Sequence, residues 1–217
     1  MTLTIAIMQP YFMPYAGYFR LMEAADLFVF YDCVQFPRRG WVHRNKFTRV
    51  DGSAEWLTLP LAKSDRDSTR IIDLQWADNA EAEWKKRMAE FPALSGNSPL
   101  LSAAQTLSGS PCEYIMNGLR IVCKALDIEC EFTTSSTLGL PDSPKGQDRI
   151  LAIAQHYKAT RYINAPGGRE LYDNQAFADK GIELSFLSDY KGKSGSILER
   201  LLTEPAGVIA QEMRSNF

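Results

Sequence analysis

The chain is poor in the residues that build metal centres. Its 217 residues include two histidines, His43 and His156, and four cysteines with no CxxC pair. That excludes a structural zinc site of the usual ligand spacing, and no metal ligand set is expected. No apolar run approaches about 18 residues, so no membrane span is expected. Residues 2–8 are too few for a signal-peptide core and lack a basic segment before them. Scattered cysteines without a leader fit a cytoplasmic protein with free thiols. Lys and Arg total 24 against 26 Asp and Glu, a net charge of -2. A balance on that side of zero argues against nucleic acid gripped mainly through its phosphates. GxGxxG and Walker sequences are missing too, as are repeats and low-complexity tracts.

What is present alternates between strand and helix. Residues 3–8 form a short apolar run ending at Gln9-Pro10, read as a buried strand. Helical spacing over 17–25 and a second apolar run over 27–31 complete a β-loop-α-β opening, which favours parallel strands and a right-handed crossover. Asp51-Gly52 between 41–50 and 54–61 is the strongest hairpin signal, and 70–76 is a candidate third antiparallel strand. Helices are expected over 79–91, 99–107, 112–126, 146–157 and 170–180, and strands over 129–133, 161–164 and 182–187. A Ser-, Gly- and Pro-rich loop, expected to be mobile, fills 135–144. The fold class is therefore α/β, a three-layer Rossmann-like, mainly parallel sheet in one domain over 1–217. An antiparallel hairpin or meander is inserted around 37–76, and the tail over 196–217 is helical.

Unusual polar residues gather at three strand ends, where open α/β sheets place their ligands. After the first strand come Gln9, Tyr11 and Gly17, leading into a helix N-terminus; a proline-stiffened loop packing its aromatics is the plainer alternative. After the second come Asp32, a candidate acceptor or general base, and Gln35, a candidate orienting amide. Trp41, His43 and Asn45 then alternate with Val42, Arg44 and Lys46, the latter two able to clamp phosphate or carboxylate if they are more than a solvated face. Cys33, next to a carboxylate, reads as packing. The third cluster runs from Asn164 through Gly167 and Gly168 to Glu170 and Tyr172. Paired glycines there expose backbone amides, and Lys145, Asp148 and Arg149 would lie close by if the strands are parallel. A capped turn would explain the same residues without a ligand.

These ordered motifs resemble the WbqC-like family of bacteria. The resemblance runs through Gln9-Pro10…Gly17-Tyr18-Phe19, Asp32…Gln35-Phe36…Trp41…Arg44-Asn45, Trp56-Leu57-Thr58-Leu59-Pro60, Lys145-Gly146-Gln147-Asp148-Arg149 and Tyr162-Ile163-Asn164…Gly167-Gly168…Tyr172. It implies a role in O-antigen or other surface-polysaccharide biosynthesis. The reaction class that follows is a transferase moving an acyl or aminoacyl group onto an activated amino sugar, with a sugar or nucleotide-sugar substrate. Asp32, Gln9 and Asn164 are then the candidate catalytic residues. The alternatives are a non-catalytic nucleotide-sugar-binding or scaffold protein of the same pathway and a nucleotidyltransferase. Met8 stands where many members carry His, and Cys33 where a second acid often follows the Asp. The cofactor and the oligomeric state are left open.

Overall fold

The computed structural model describes residues 2–65 and 67–215. In chain order the elements are β1 (Thr4–Met8), α1 (Ala16–Glu23), β2 (Leu27–Phe30), β3 (Arg44–Thr48), β4 (Ala54–Thr58), α2 (Ala80–Met88), α3 (Pro99–Gln105), α4 (Pro111–Ala125) and β5 (Glu131–Thr134). There follow α5 (Gly146–His156), β6 (Arg161–Asn164), α6 (Asn174–Ala178), β7 (Glu183–Phe186), α7 (Ile197–Thr203) and α8 (Ala206–Arg214). Five strands make one sheet in the order β5-β2-β1-β6-β7, and every pair in it is parallel. The hairpin β3-β4 is a separate antiparallel pair.

β1 and β2 are apolar on both faces because both faces of the sheet are covered, as parallel sheets require. Ile5 and Ile7 meet Val29, Tyr162 and the inward residues of α5 and α6, among them Ile150, Ile153 and Phe177. Ala6, Phe28 and Phe30 point the other way, into a larger core with Phe19, Ile115 and Leu119 of α1 and α4. Helix, sheet and helix thus form three layers. The hairpin joins the larger core through Phe47 and Leu57, and α7 and α8 join it through Ile197 and Ile209. α4 starts on a capping box in which the Ser110 hydroxyl accepts from Glu113 N–H while the Glu113 carboxylate accepts from Ser110 N–H; such a cap contributes about 1 kcal/mol.

Three expected elements differ. Residues 70–76 make no third strand: isolated bridges Gln35–Arg70 and Leu61–Trp76 flank a 3-10 turn at Ile71–Asp73. Ile71 and Leu74, three apart, are both buried, which a period of two does not permit. The helix expected from 170 begins at Asn174, because Pro166–Gly168 forms a 3-10 turn and Asp173 is the cap, accepting from Gln175 N–H at 3.0 Å. The loop expected over 135–144 opens with a 3-10 turn at Ser135–Leu138. Among the described residues no helix is long and apolar enough to cross a membrane.

Candidate functional site

The strand order dictates where a ligand fits. The chain steps outward from β1 through β2 to β5, then returns to the far side of β1 for β6 and β7. The connections leaving β1 and β6 therefore diverge, and the crevice between their C-terminal ends is the topological switch point. A cavity of about 560 Å³ opens there. The first loop contributes Gln9, Tyr11 and Tyr15 to it; α1 adds Gly17, Tyr18 and Arg20; the start of α5 adds Gly146 and Gln147; the end of β6 adds Asn164, and the segment after it Gly167, Gly168 and Tyr172.

Gln9 and Asn164 are the polar centre. Ile5 pairs with Tyr162 in the parallel register, which sets Asn164 level with Ile7, two residues before Gln9. Asn164 is buried, and its Oδ1 accepts from Ala165 N–H at 2.8 Å. That bond fixes which end of the amide is oxygen, so Nδ2 is the donor left over. Neither Asn164 Nδ2 nor the Gln9 side chain hydrogen-bonds to any described residue. The two adjacent glycines differ. A Cβ on Gly168 would lie 2.5 Å from Asn164 Nδ2 and 3.2 Å from Tyr172 Cε2, whereas one on Gly167 would meet nothing within 4 Å. The Gly168 N–H is engaged by the Ala165 carbonyl at 3.0 Å, so the turn offers one free glycine amide rather than two.

The walls are aromatic. Tyr15 and Tyr190 pair at 5.5 Å between centroids, and both crowd Gly17, where a Cβ would come 2.2 Å from Tyr15 Cε2 and 2.7 Å from Tyr190 Cγ. Tyr18 donates to the Gln9 carbonyl at 2.7 Å. Burial pushes Tyr18 well above the usual phenol range, and raises both Tyr31 and Tyr190 to about 12. Neighbouring Cys33 adds to the rise at Tyr31, and Glu212, which accepts from the Tyr190 hydroxyl, adds to it at Tyr190. These phenols are hydrogen-bond donors at neutral pH, not bases. Arg20 supplies the cavity's one cationic side chain among the described residues, with Nη1 and Nη2 2.8 Å from the Ser188 carbonyl and hydroxyl. No Asp, Glu, His, Cys or Lys side chain lines the cavity among the described residues.

Asp32 lies elsewhere. It is fully buried, with Oδ1 accepting from Ser135 Oγ and Ser136 N–H, both at 2.9 Å, and Oδ2 from Ser136 Oγ at 2.6 Å. It pins the turn after β5, one strand removed from the switch point. The hairpin residues stay outside the cavity as well. Buried Asn45 donates to the Met13 carbonyl and lashes the hairpin to the first loop. Half-buried His43 stacks edge-on against Phe36 at 4.9 Å. Burial first, then Arg44, lower its imidazole to about 4, and Nδ1 has no partner among the described residues. Strand alternation starts only at Arg44, so Trp41, placed by sequence with His43 and Asn45, instead packs on Trp56 at 5.0 Å beside Arg44 and Lys46.

Gln35, Lys145, Asp148 and Glu170 are exposed and outside the lining. Arg149 is buried behind it, donating to the Pro141 carbonyl and lying 3.5 Å from Cys33 Sγ. All four cysteines are free, and burial raises the Cys112 and Cys130 thiols to about 12. No cluster of three or more His, Cys, Asp or Glu side chains fit for a metal ion occurs among the described residues. Sequence reasoning missed Tyr31, Arg20 and Tyr190, took Tyr15 as packing in the first loop, and placed Gln147 only as part of the 145–149 run near the third cluster. Gln147 accepts from Asp173 N–H at 2.6 Å, joining α5 to the turn before α6.

Residues 9–193 match the WbqC-like protein family, and the chain belongs to it. It is also 26% identical over 197 residues to the uncharacterized protein Rv1507c of Mycobacterium tuberculosis (strain ATCC 25618 / H37Rv), covering 87% of this chain and 83% of that protein. No solved structure matches.

Proposed function

We propose that this WbqC-like protein binds an activated amino sugar, linked to a nucleotide or phosphate, in the switch-point cavity. There it acts as a cytoplasmic transferase of surface-glycan assembly, moving an acyl or aminoacyl group onto the sugar amine. The observation that carries the reading is the Gln9 side-chain amide and the Asn164 Nδ2 donor, both without a hydrogen-bond partner among the described residues, at the adjoining ends of β1 and β6. A donor and an acceptor on Gln9 with a donor on Asn164 suit hydroxyl- and carbonyl-bearing ligands, and tyrosine walls suit a ring. Arg20 and the uncapped N-terminus of α1, which has no acidic residue in its first turn, favour an anionic group nearby.

A cavity lined, among the described residues, by no carboxylate, imidazole or thiol favours catalysis by alignment over acid–base relay. The sugar amine attacks the activated carbonyl carbon and a C–N bond forms. Asn164 Nδ2 and the Gln9 amide hold the oxyanion. The bond to the leaving group then breaks, and the ammonium proton passes to that group or to water. Asp32 is in this scheme a positioning residue that sets the turn after β5.

The same lack of an ionisable base favours a second reading, a nucleotide-sugar-binding protein without chemistry of its own. Calorimetric titration with a panel of nucleotide amino sugars, with and without acyl donors, separates the two. Binding with turnover supports the transferase, and binding alone supports the second reading. No binding by folded protein refutes both.

A further inference from the structure

We infer that the exposed side of the β3-β4 hairpin is a second ligand subsite, separate from the cavity, that takes an acidic saccharide. Trp41 is 45% exposed and leans on half-buried Trp56 with ring centroids 5.0 Å apart. Arg44 Cζ lies 4.2 Å and Lys46 Nζ 5.5 Å from the Trp56 ring. Arg44 is locked further: Nε and Nη2 donate to the Gly40 and Arg39 carbonyls at 3.2 and 2.8 Å. Its Nη1 has no protein partner among the described residues, and Lys46 Nζ has neither a hydrogen bond nor an ion pair there.

Two cations are thus held on an aromatic face, neither in an ion pair with a carboxylate among the described residues, although acidic residues outnumber basic ones in the chain. Stacking fixes their positions in advance, which lowers the ordering cost when an anion binds. The exposed Trp41 ring beside them offers an apolar face to the C–H side of a sugar ring, while the cations meet its carboxylate or phosphate. A single exposed ring favours a saccharide over single-stranded nucleic acid, which is held by successive aromatics along a basic groove. Val50, exposed in the hairpin's own turn, is the one other large exposed apolar residue there among the described residues, while Ile121 and Val208 lie on α4 and α8, so the hairpin presents two such side chains rather than the continuous apolar face that membrane insertion needs.

The subsite adjoins the cavity through the backbone. The Trp41 carbonyl accepts from Phe12 N–H at 3.0 Å, and Tyr11, the residue before Phe12, lines the cavity.

The test is calorimetric titration of the full chain with tetragalacturonic acid. Maltotetraose serves as neutral control, and oligothymidylate and phosphatidylserine vesicles are competing ligands. Tetragalacturonate is expected to bind at least about fivefold more tightly than maltotetraose, and Trp41→Ala and Lys46→Gln each to weaken it by about that factor. Asn164→Ala, which disables the cavity alone, leaves this binding unchanged, so the outcome is independent of the cavity reading. Equal binding of the neutral sugar, or wild-type binding by both hairpin variants with folding verified by circular dichroism, overturns the proposal. So does no binding of the acidic sugar, or preference for the oligonucleotide or the vesicles.

Discussion

The two neighbouring glycines after β6 offer a sharp contrast, because one lacks room for a methyl group and the other does not. In Gly168→Ala the new Cβ would stand 2.5 Å from Asn164 Nδ2, against about 3.4 Å for an ordinary contact, so the amide or the turn must move by about 0.9 Å. The amide is restrained by its 2.8 Å bond to Ala165 N–H, and Tyr172 Cε2 at 3.2 Å blocks a second route of relief. Overpacking of this kind costs about 1–3 kcal/mol, partly offset by the smaller unfolded-state entropy of alanine, about 0.4–1 kcal/mol. For a chain of this size the midpoint should fall by roughly 2–6 °C. Because the displaced group is the one assigned to the ligand, nucleotide-sugar affinity should drop about tenfold or more. Gly167→Ala meets open space, so its stability should stay within about 0.5 kcal/mol of wild type. Thermal and urea unfolding with calorimetric titration read all three proteins. Equal midpoints and equal affinities for the two variants would refute the reasoning.

Three further expectations concern residues outside the cavity. Asp32→Asn should lose about 2–4 kcal/mol in urea unfolding, since a buried carboxylate accepting three hydrogen bonds becomes an amide whose NH2 takes the place of one oxygen, facing the Ser136 hydroxyl at the Oδ2 position or the Ser135 hydroxyl and Ser136 N–H at the Oδ1 position; wild-type stability would contradict the pinning role. His43 is depressed to about 4, so the unfolded chain takes up its proton near pH 6.5 while the folded chain waits, and stability falls as pH drops from about 6.5 to about 4. His43→Phe should flatten that slope, and an unchanged slope counts against the assignment. Glu204 is held near 2 chiefly by its hydrogen bonds from Arg200, so its contribution is present above about 4.5 and lost as pH falls towards 2. Arg200→Met should shrink this acid loss while lowering stability at pH 7, both read by denaturant midpoints.

How much was legible depends on the range of each interaction. β1 and β2 could be read directly, because strands buried on both faces leave unbroken apolar runs. The hairpin was legible from Asp51-Gly52: Gly52 sits at φ +80°, and Asp51 Oδ1 accepts from Ser53 N–H at 2.9 Å. Gln9, Asn164 and the glycines were read as strand-end residues and do meet at one cavity. Asp32 also ends a strand, yet sheet order sets β2 beside β5, so its carboxylate meets Ser135 and Ser136, more than a hundred residues away in sequence. Strand order cannot be read from local pattern. Arg20 and Tyr190 escaped for the same reason, since Arg20 meets Ser188 across 168 residues and Tyr190 follows the last strand in a segment without periodicity.

The central claim is that the ligand sits between the ends of β1 and β6. A crystal structure of the protein soaked with a nucleotide amino sugar tests it most directly. Density for the sugar or phosphate within about 3.2 Å of Asn164 Nδ2 and the Gln9 amide is the expected result. An ordered ligand elsewhere, with the tyrosine-walled cavity empty, would contradict it.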